Sequence, residues 1–169
     1  ELQLKAGNLL MVVGRFTDAL SRADAVLDKH DNHIAAHILR GNALGGLNNL
    51  DDALDEMEEA IRLDRSRGAS YTQLGLVEFA RGKQAEAEAA FIRATELAPS
   101  DTGARLALAN FYWASNRLAD AGRILLAAVQ AEPAHHGANR AMAVFSLANG
   151  RAAEAEPYLK RLASDSAQP

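Results

Sequence analysis

A spacing of 34 residues runs through this chain without slipping, and it limits the possible folds more than any local motif does. Leu74-Gly75, Ala87, Phe91, Ala94 and Pro99 make one set. One period back stand Arg40-Gly41, Ala53, Met57, Ala60 and Arg65, and before them Ala6-Gly7, Ala19, Ala23, Val26 and Asp31. One period forward come Leu108-Ala109, Ala121, Leu125, Ala128 and Pro133, then Met142-Ala143, Ala155, Leu159, Leu162 and Ala167. The units are therefore 1–33, 34–67, 68–101, 102–135 and 136–169, one residue short of five full periods. A repeat this short is a single supersecondary unit. It cannot bury its own apolar face, so neighbouring units must stack to make a core.

Inside each unit the apolar residues recur at helical spacing. In the third unit they predict two amphipathic helices, at roughly 69–81 and 85–97. Turn signals fall midway through each unit, at Gly14-Arg15, Leu47-Asn48-Asn49, Gly82-Lys83, Asn116-Arg117 and Gly150-Arg151. Ten helices and no strands follow. Small residues at Gly75, Ala87 and Ala94 let helix backbones approach closely, while Leu74 and Phe91 fill the space between them. Apolar residues make up 49% of the chain and charged residues 24%, too apolar for disorder.

The third unit carries Leu74, Gly75, Ala87, Phe91, Ala94 and Pro99 at the signature positions of the tetratricopeptide repeat, and the chain resembles that family over its whole length. It departs from the pattern where Ala109 and Ala143 replace the glycine, and where Asp31, Arg65 and Ala167 replace the proline. The resemblance implies an all-α solenoid, a right-handed superhelix of about ten antiparallel helices forming one array. It also implies a non-catalytic scaffold that binds a peptide or protein segment in a concave groove lined by the first helix of each pair. Carried over position by position, the groove includes Asn8, Asn42 and Asn110 in a row, with Gln73 beside them. Leu76 and Val144 take the same register as the asparagines. Phe79 and Trp113 would be successive groove aromatics next to a bare Gly45.

The asparagine amides offer both a donor and an acceptor to a peptide backbone. Asn is also simply common at that position of the family, so the row has a plain structural reading too. Phe79 and Trp113 can form a pocket for an apolar side chain or can pack internally. Relatives that clamp a C-terminal carboxylate use a set of Lys, Asn and Arg residues. This chain has Leu4, Asn8, Leu39, Ala69 and Gln73 at the matching places, so only Asn8 remains and that mode is not expected.

Other constellations point to structure. His30, His33 and His37 cluster near Asp28 and Asp31, but His37 sits at a signature packing position. His135-His136 reads as a solvated loop. The glycine-rich stretch Gly41 to Gly46 lies on a helix and not after a strand, so it is no nucleotide fingerprint. No catalytic set, metal site or cofactor site is expected, and the absence of Cys excludes thiol chemistry. A net charge of −4 gives no nucleic-acid footprint, and no apolar run is long enough for membrane insertion. The acidic run Asp51-Asp52, Asp55-Glu56, Glu58-Glu59 is expected at a helix N-terminus on a wet outer face.

The chain reads as an excerpt of a longer array. Leu147, Leu159 and Leu162 should leave an apolar edge at its C-terminal end, open to end-to-end stacking. Its alanine-rich units loosely resemble bacterial envelope proteins of this repeat class, which implies a place in the cell envelope or periplasm. Two other functions fit the sequence: a self-assembling spacer, and the regulatory arm of a larger enzyme or of an envelope secretion or sorting system.

Overall fold

The structure, a computed structural model, describes residues 1–165. Ala167 and the rest of the last four residues, which complete the fifth unit's pattern, lie outside them. Ten helices alternate along the chain. They are α1 Leu2–Val12, α2 Phe16–Leu27, α3 Ile34–Gly46, α4 Leu50–Leu63 and α5 Gly68–Ala80, then α6 Gln84–Leu97, α7 Thr102–Ala114, α8 Leu118–Ala131, α9 His136–Ala148 and α10 Ala152–Asp165. No strand occurs among the described residues. The third pair falls within one residue of the span expected from periodicity. Two compact units form: the first runs from Glu1 to Ala98 and holds α1–α6, and the second begins at Pro99 and holds α7–α10.

One turn, used five times, sets the phase. Gly14, Asn48, Gly82, Asn116 and Gly150 all have positive φ, between 59° and 78°. Each follows the C-cap residue of a first helix, two places past the last helical residue, and closes a Schellman motif. After α1, Gly14 N donates to Met11 O at 3.1 Å and Arg15 N to Leu10 O at 2.9 Å. After α7, Asn116 N donates to Trp113 O at 3.0 Å and Arg117 N to Tyr112 O at 2.8 Å. Only Gly and, at some cost, Asn take this left-handed conformation readily, which explains why no other residue type appears at the position.

The second helix then starts with an acid in its first turn, and in α2, α4 and α8 the N-cap residue reaches that acid. Arg15 Nε donates to Asp18 at 2.6 Å, Asn49 Nδ2 to Asp52 at 2.5 Å and Arg117 Nε to Asp120 at 2.9 Å. The negative charge sits where the helix dipole is positive. One period apart, Ala19, Ala53, Ala87, Ala121 and Ala155 are all fully buried where the two helices of each pair meet. A larger side chain there would force the helices apart.

In the first unit two of these pairs have a glycine on the first helix at the contact. A Cβ on Gly41 would lie 2.5 Å from Met57 Cε and 3.1 Å from the Ala53 carbonyl oxygen. A Cβ on Gly75 would lie 2.8 Å from the Phe91 ring. Met57 and Phe91 thus pack directly on a bare helix backbone. In the second unit Ala109 and Ala143 stand at these places, both buried, and the large residue at the Met57 and Phe91 position is Leu125 or Leu159. The extra methyl on one helix goes with a smaller partner on the other.

Two sequence expectations need correction. The acidic run is not wholly solvated: Glu56 turns inward, with only 13% of its side chain exposed. Its carboxylate lies 2.7 Å from His37 Nδ1 and accepts from Arg40 Nη1 at 2.7 Å, while His37 Nε2 lies 2.7 Å from the Asp31 carbonyl oxygen. Arg40 also pairs with Asp24 on α2 at 2.9 Å. The cluster links α2, α3 and α4, so His37 is a packing residue, as its register implied. The second correction concerns His135, which is not a free loop residue. It caps α9, its Nδ1 accepting from Ala138 N at 3.1 Å, while His136 is the first residue of that helix and exposed.

Candidate functional site

The first unit contains a pocket of about 400 Å³. Asn8 and Met11 line it from α1, Gly41, Asn42 and Gly45 from α3, Leu50 from α4, and Gln73, Leu76, Val77 and Ala80 from α5. The spacings 8/11, 41/45 and 73/76/80 put each set on one face of its helix. The volume suits a side chain or short segment of a ligand, within the usual range for binding pockets.

Two glycines on α3 shape this pocket in opposite ways. Gly41 is required because α4 leaves no room for a side chain, as described above. Gly45 faces open space, and a Cβ built there meets nothing within 4 Å. The pocket exists because Gly45 carries no side chain where Met11, one repeat earlier, has one. Its apolar wall consists of Met11, Leu50, Leu76, Val77 and Ala80.

No charged side chain lines the pocket. The polar groups are the three amides of Asn8, Asn42 and Gln73, which make no side-chain hydrogen bond to protein among the described residues. Each is left with donor and acceptor capacity facing an apolar recess. Beyond the lining, Arg81 donates to Glu78 of α5 at 2.9 Å and to Asp51 of α4 at 3.0 Å. Glu78 first and Asp51 second hold its guanidinium above the ordinary arginine value.

The six residues expected from the groove positions are thus divided. Asn8, Asn42 and Gln73 come together around the pocket. Phe79 is half-buried and not part of its lining, whereas Leu76 is. Asn110 and Trp113 belong to the second unit. There Asn110 is exposed, while Trp113 is half-buried and packs edge-on against the fully buried Phe145, with ring centroids 5.3 Å apart and planes at 83°. Trp113 thus makes one internal ring contact and remains partly exposed. Leu50 was missed, because it comes from a second helix and the groove positions consider only first helices. Its place directly after the turn Asn48-Asn49 is the signal that could have found it.

Among the described residues there is no group of three or more His, Asp or Glu side chains arranged to hold a metal ion. No helix among them is long and apolar enough to cross a membrane. The His30–His33 loop borders a separate shallow recess with Lys29, Asp31 and Asn32.

A family model for the tetratricopeptide repeat matches residues 4–70, 38–102 and 72–136, overlapping windows that cover most of the chain. The chain belongs to the tetratricopeptide-repeat family. Among curated proteins, it is 33% identical over 91 residues to a probable UDP-N-acetylglucosamine–peptide N-acetylglucosaminyltransferase, SPINDLY, of Arabidopsis thaliana. That match covers 54% of this chain and 10% of the plant protein, so the chain spans about a tenth of the curated relative's length. Among solved structures, TTC0263, a thermophilic tetratricopeptide-repeat protein of Thermus thermophilus, aligns with a TM-score of 0.80. Identity there is 20%, over 86% of this chain and 80% of that one. YrrB, described as a tetratricopeptide-repeat protein with an unusual peptide-binding site, aligns with a TM-score of 0.57 and 24% identity, over 95% and 82% of the two chains. These likenesses establish the all-α solenoid fold class. The repeat fold is that of a protein–protein interaction scaffold.

Proposed function

We propose that this tetratricopeptide-repeat chain is a non-catalytic peptide-binding module whose main recognition site is the pocket above Gly45. The reading rests on one observation: three unpartnered amides surround an uncharged, apolar recess that a missing side chain opens. An extended peptide laid across α1, α3 and α5 can pair its backbone with Asn8, Asn42 and Gln73 while one aliphatic side chain enters the recess. Burying such a side chain contributes roughly 1.5–3 kcal/mol, so a single anchor changes affinity by about tenfold to a hundredfold. The amides set direction and register more than affinity. With no cation in the lining, the site favours an internal, uncharged segment over a free C-terminal carboxylate.

The test is an immobilised library of acetylated, amidated peptides probed with the wild-type chain and with Gly45→Leu. Leucine at 45 fills the recess without touching the core. Helical content and Tm should hold, while binding to the selected peptides should fall by about tenfold or more. Unchanged binding by Gly45→Leu would overturn the reading. In the second unit, Asn110 and Trp113 are proposed as further peptide contacts, checked by the same library with Trp113→Ala.

A second reading has an observation of its own. The match to about a tenth of a glycosyltransferase's length supports this chain as the repeat arm of a larger protein, in which the peptide would be that protein's substrate or regulator. The complete sequence of the parent chain decides between the two.

A further inference from the structure

Part of the Gly45 pocket wall comes from the ends of two helices: Leu50 opens α4 and Ala80 closes α5. The residues that follow them, Asp51 and Arg81, form an ion pair of 3.0 Å between the two helices. Arg81 also donates to Glu78 of its own helix at 2.9 Å. Only 12% of the Glu78 side chain and 23% of Arg81 are exposed, against 88% of Asp51. Asp51 thus reaches from solvent onto a guanidinium that α5 itself holds in place.

The buried core stops short of this point. Ala53 and Met57 of α4 pack with Val77 of α5. Leu50 and Ala80 lie about one turn beyond those contacts, towards the helix ends, with Leu50 half-buried and Ala80 exposed. Helix ends with few buried contacts open at low cost. The pair also occurs in one place only. At the register of Asp51 the other repeats have Thr17, Ala85, Ala119 and Ala153, and at that of Arg81 they have Val13, Leu47, Ser115 and Asn149. Stacking of the repeats therefore does not require it, and it stands beside the recess that Gly45 opens.

We propose that the Asp51–Arg81 ion pair is a positioning contact for the Gly45 pocket, holding Leu50 and Ala80 at the spacing that forms the wall. It makes recognition of an uncharged peptide sensitive to ionic strength. This inference rests on the peptide-binding reading of the pocket. With the pair open, the first turn of α4 and the last turn of α5 are free to move apart, and binding must reorder them at a cost in affinity. Salt screens a pair this exposed. An uncharged peptide has no ion of its own to be screened, so a loss of affinity with salt originates in the protein.

The probe is a set of acetylated, amidated pentapeptides of uncharged residues with leucine at the centre, titrated by calorimetry. Raising NaCl from about 0.01 M to about 1 M shortens the Debye length from about 30 Å to about 3 Å. Over that range the wild-type chain should bind about twofold to fivefold more weakly. Asp51→Asn should show the loss at low salt and little further change, and Asp51→Glu should restore both affinity and salt response. Asp52→Asn removes the neighbouring first-turn acid, which bonds Asn49, and should behave as the wild type. If Gly45→Leu binds these peptides as well as the wild type does, the pocket reading fails and this inference with it. If Gly45→Leu loses binding while Asp51→Asn keeps wild-type affinity and salt response, the pocket stands and the positioning role is overturned. An Asp52→Asn variant that matched Asp51→Asn would overturn it as well, because the cause would then be negative charge at the start of α4 and not the pair.

Discussion

The two units solve one packing problem with different residue pairs. In the first, bare glycines at 41 and 75 let Met57 and Phe91 lie directly on a helix backbone. In the second, Ala109 and Ala143 fill the same register, and leucines stand at the partner position. The same contrast recurs on the facing side of the first helices. Gly45 leaves a recess in the first unit, whereas Trp113, at the same register two periods on, is propped against Phe145. The repeat therefore fixes which positions face each other, and the free variable is where within each pair the volume is placed. A binding recess arises where one position gives up its volume and no neighbour takes it.

The strongest way to break this comparison is to empty the second unit's own packing. Phe145 is fully buried and meets both Trp113 and, through its ring face, the Arg151 guanidinium at 5.0 Å. Phe145→Ala should cost about 3–5 kcal/mol. Trp113 is the chain's single tryptophan, so its emission reports this unit directly. Urea titration should show a lower midpoint and a red-shifted starting spectrum; an unshifted spectrum would mean that Trp113 does not depend on Phe145.

Exchanging the residue pairs is the next test in size. Gly41→Ala pushes a methyl into Met57 and toward the Ala53 carbonyl, an overpacking change worth about 1–3 kcal/mol. Adding Met57→Leu to it reproduces the alanine–leucine pair of the second unit and should recover part of that loss. The reverse change, Ala109→Gly, should cost less, about 0.5–1 kcal/mol, mostly from helix propensity. Chemical denaturation of the single and double variants checks the pattern. If Gly41→Ala proved no worse than Ala109→Gly, the close approach at Gly41 would not be what holds that glycine.

How much of this was readable in advance depended on whether the information was local. The turn residues from Gly14 to Gly150 announce themselves, because positive φ restricts residue choice within four residues of chain. Helix phase and the buried alanines follow from period alone. Asn8, Asn42 and Gln73 came from register within a known repeat class, and they do share a pocket. Glu56 was misread because an acid inside an acidic run looks solvated. Its partners His37 and Arg40 reach it from another helix, 19 and 16 residues away. Leu50 and the exact depth at Gly45 were hidden for the same reason: a recess is made by what neighbouring helices leave unfilled.

Gly45→Ala sharpens the comparison from the other side. The added methyl meets no atom, so the substitution should raise stability by about 0.5–1 kcal/mol through helix propensity, the opposite sign to Gly41→Ala four residues earlier. Thermal melts of the two variants under one buffer check this. A destabilised Gly45→Ala would mean that the recess is occupied by protein in solution.

The smallest expected effect concerns surface charge. In the second unit Asp120 accepts from Arg117 at 2.9 Å and from Arg123 at 3.2 Å, and these two guanidinium groups, Arg117 first, hold its carboxyl below the ordinary aspartate value. In the first unit Glu59 takes a two-bond contact from Arg62, which lowers it in the same direction. A carboxyl whose folded-state pKa is depressed stabilises the fold above its unfolded pKa, and that contribution is lost as pH falls through the lower folded value. Both groups are open to solvent, so screening keeps the effect small. Asp120→Asn should therefore lower Tm by less than either core change, and only at low salt and above the ordinary aspartate pKa. Below both pKa values the variant and the parent should melt together. A difference that persisted in acid would assign Asp120 a role in capping α8 that does not depend on its charge.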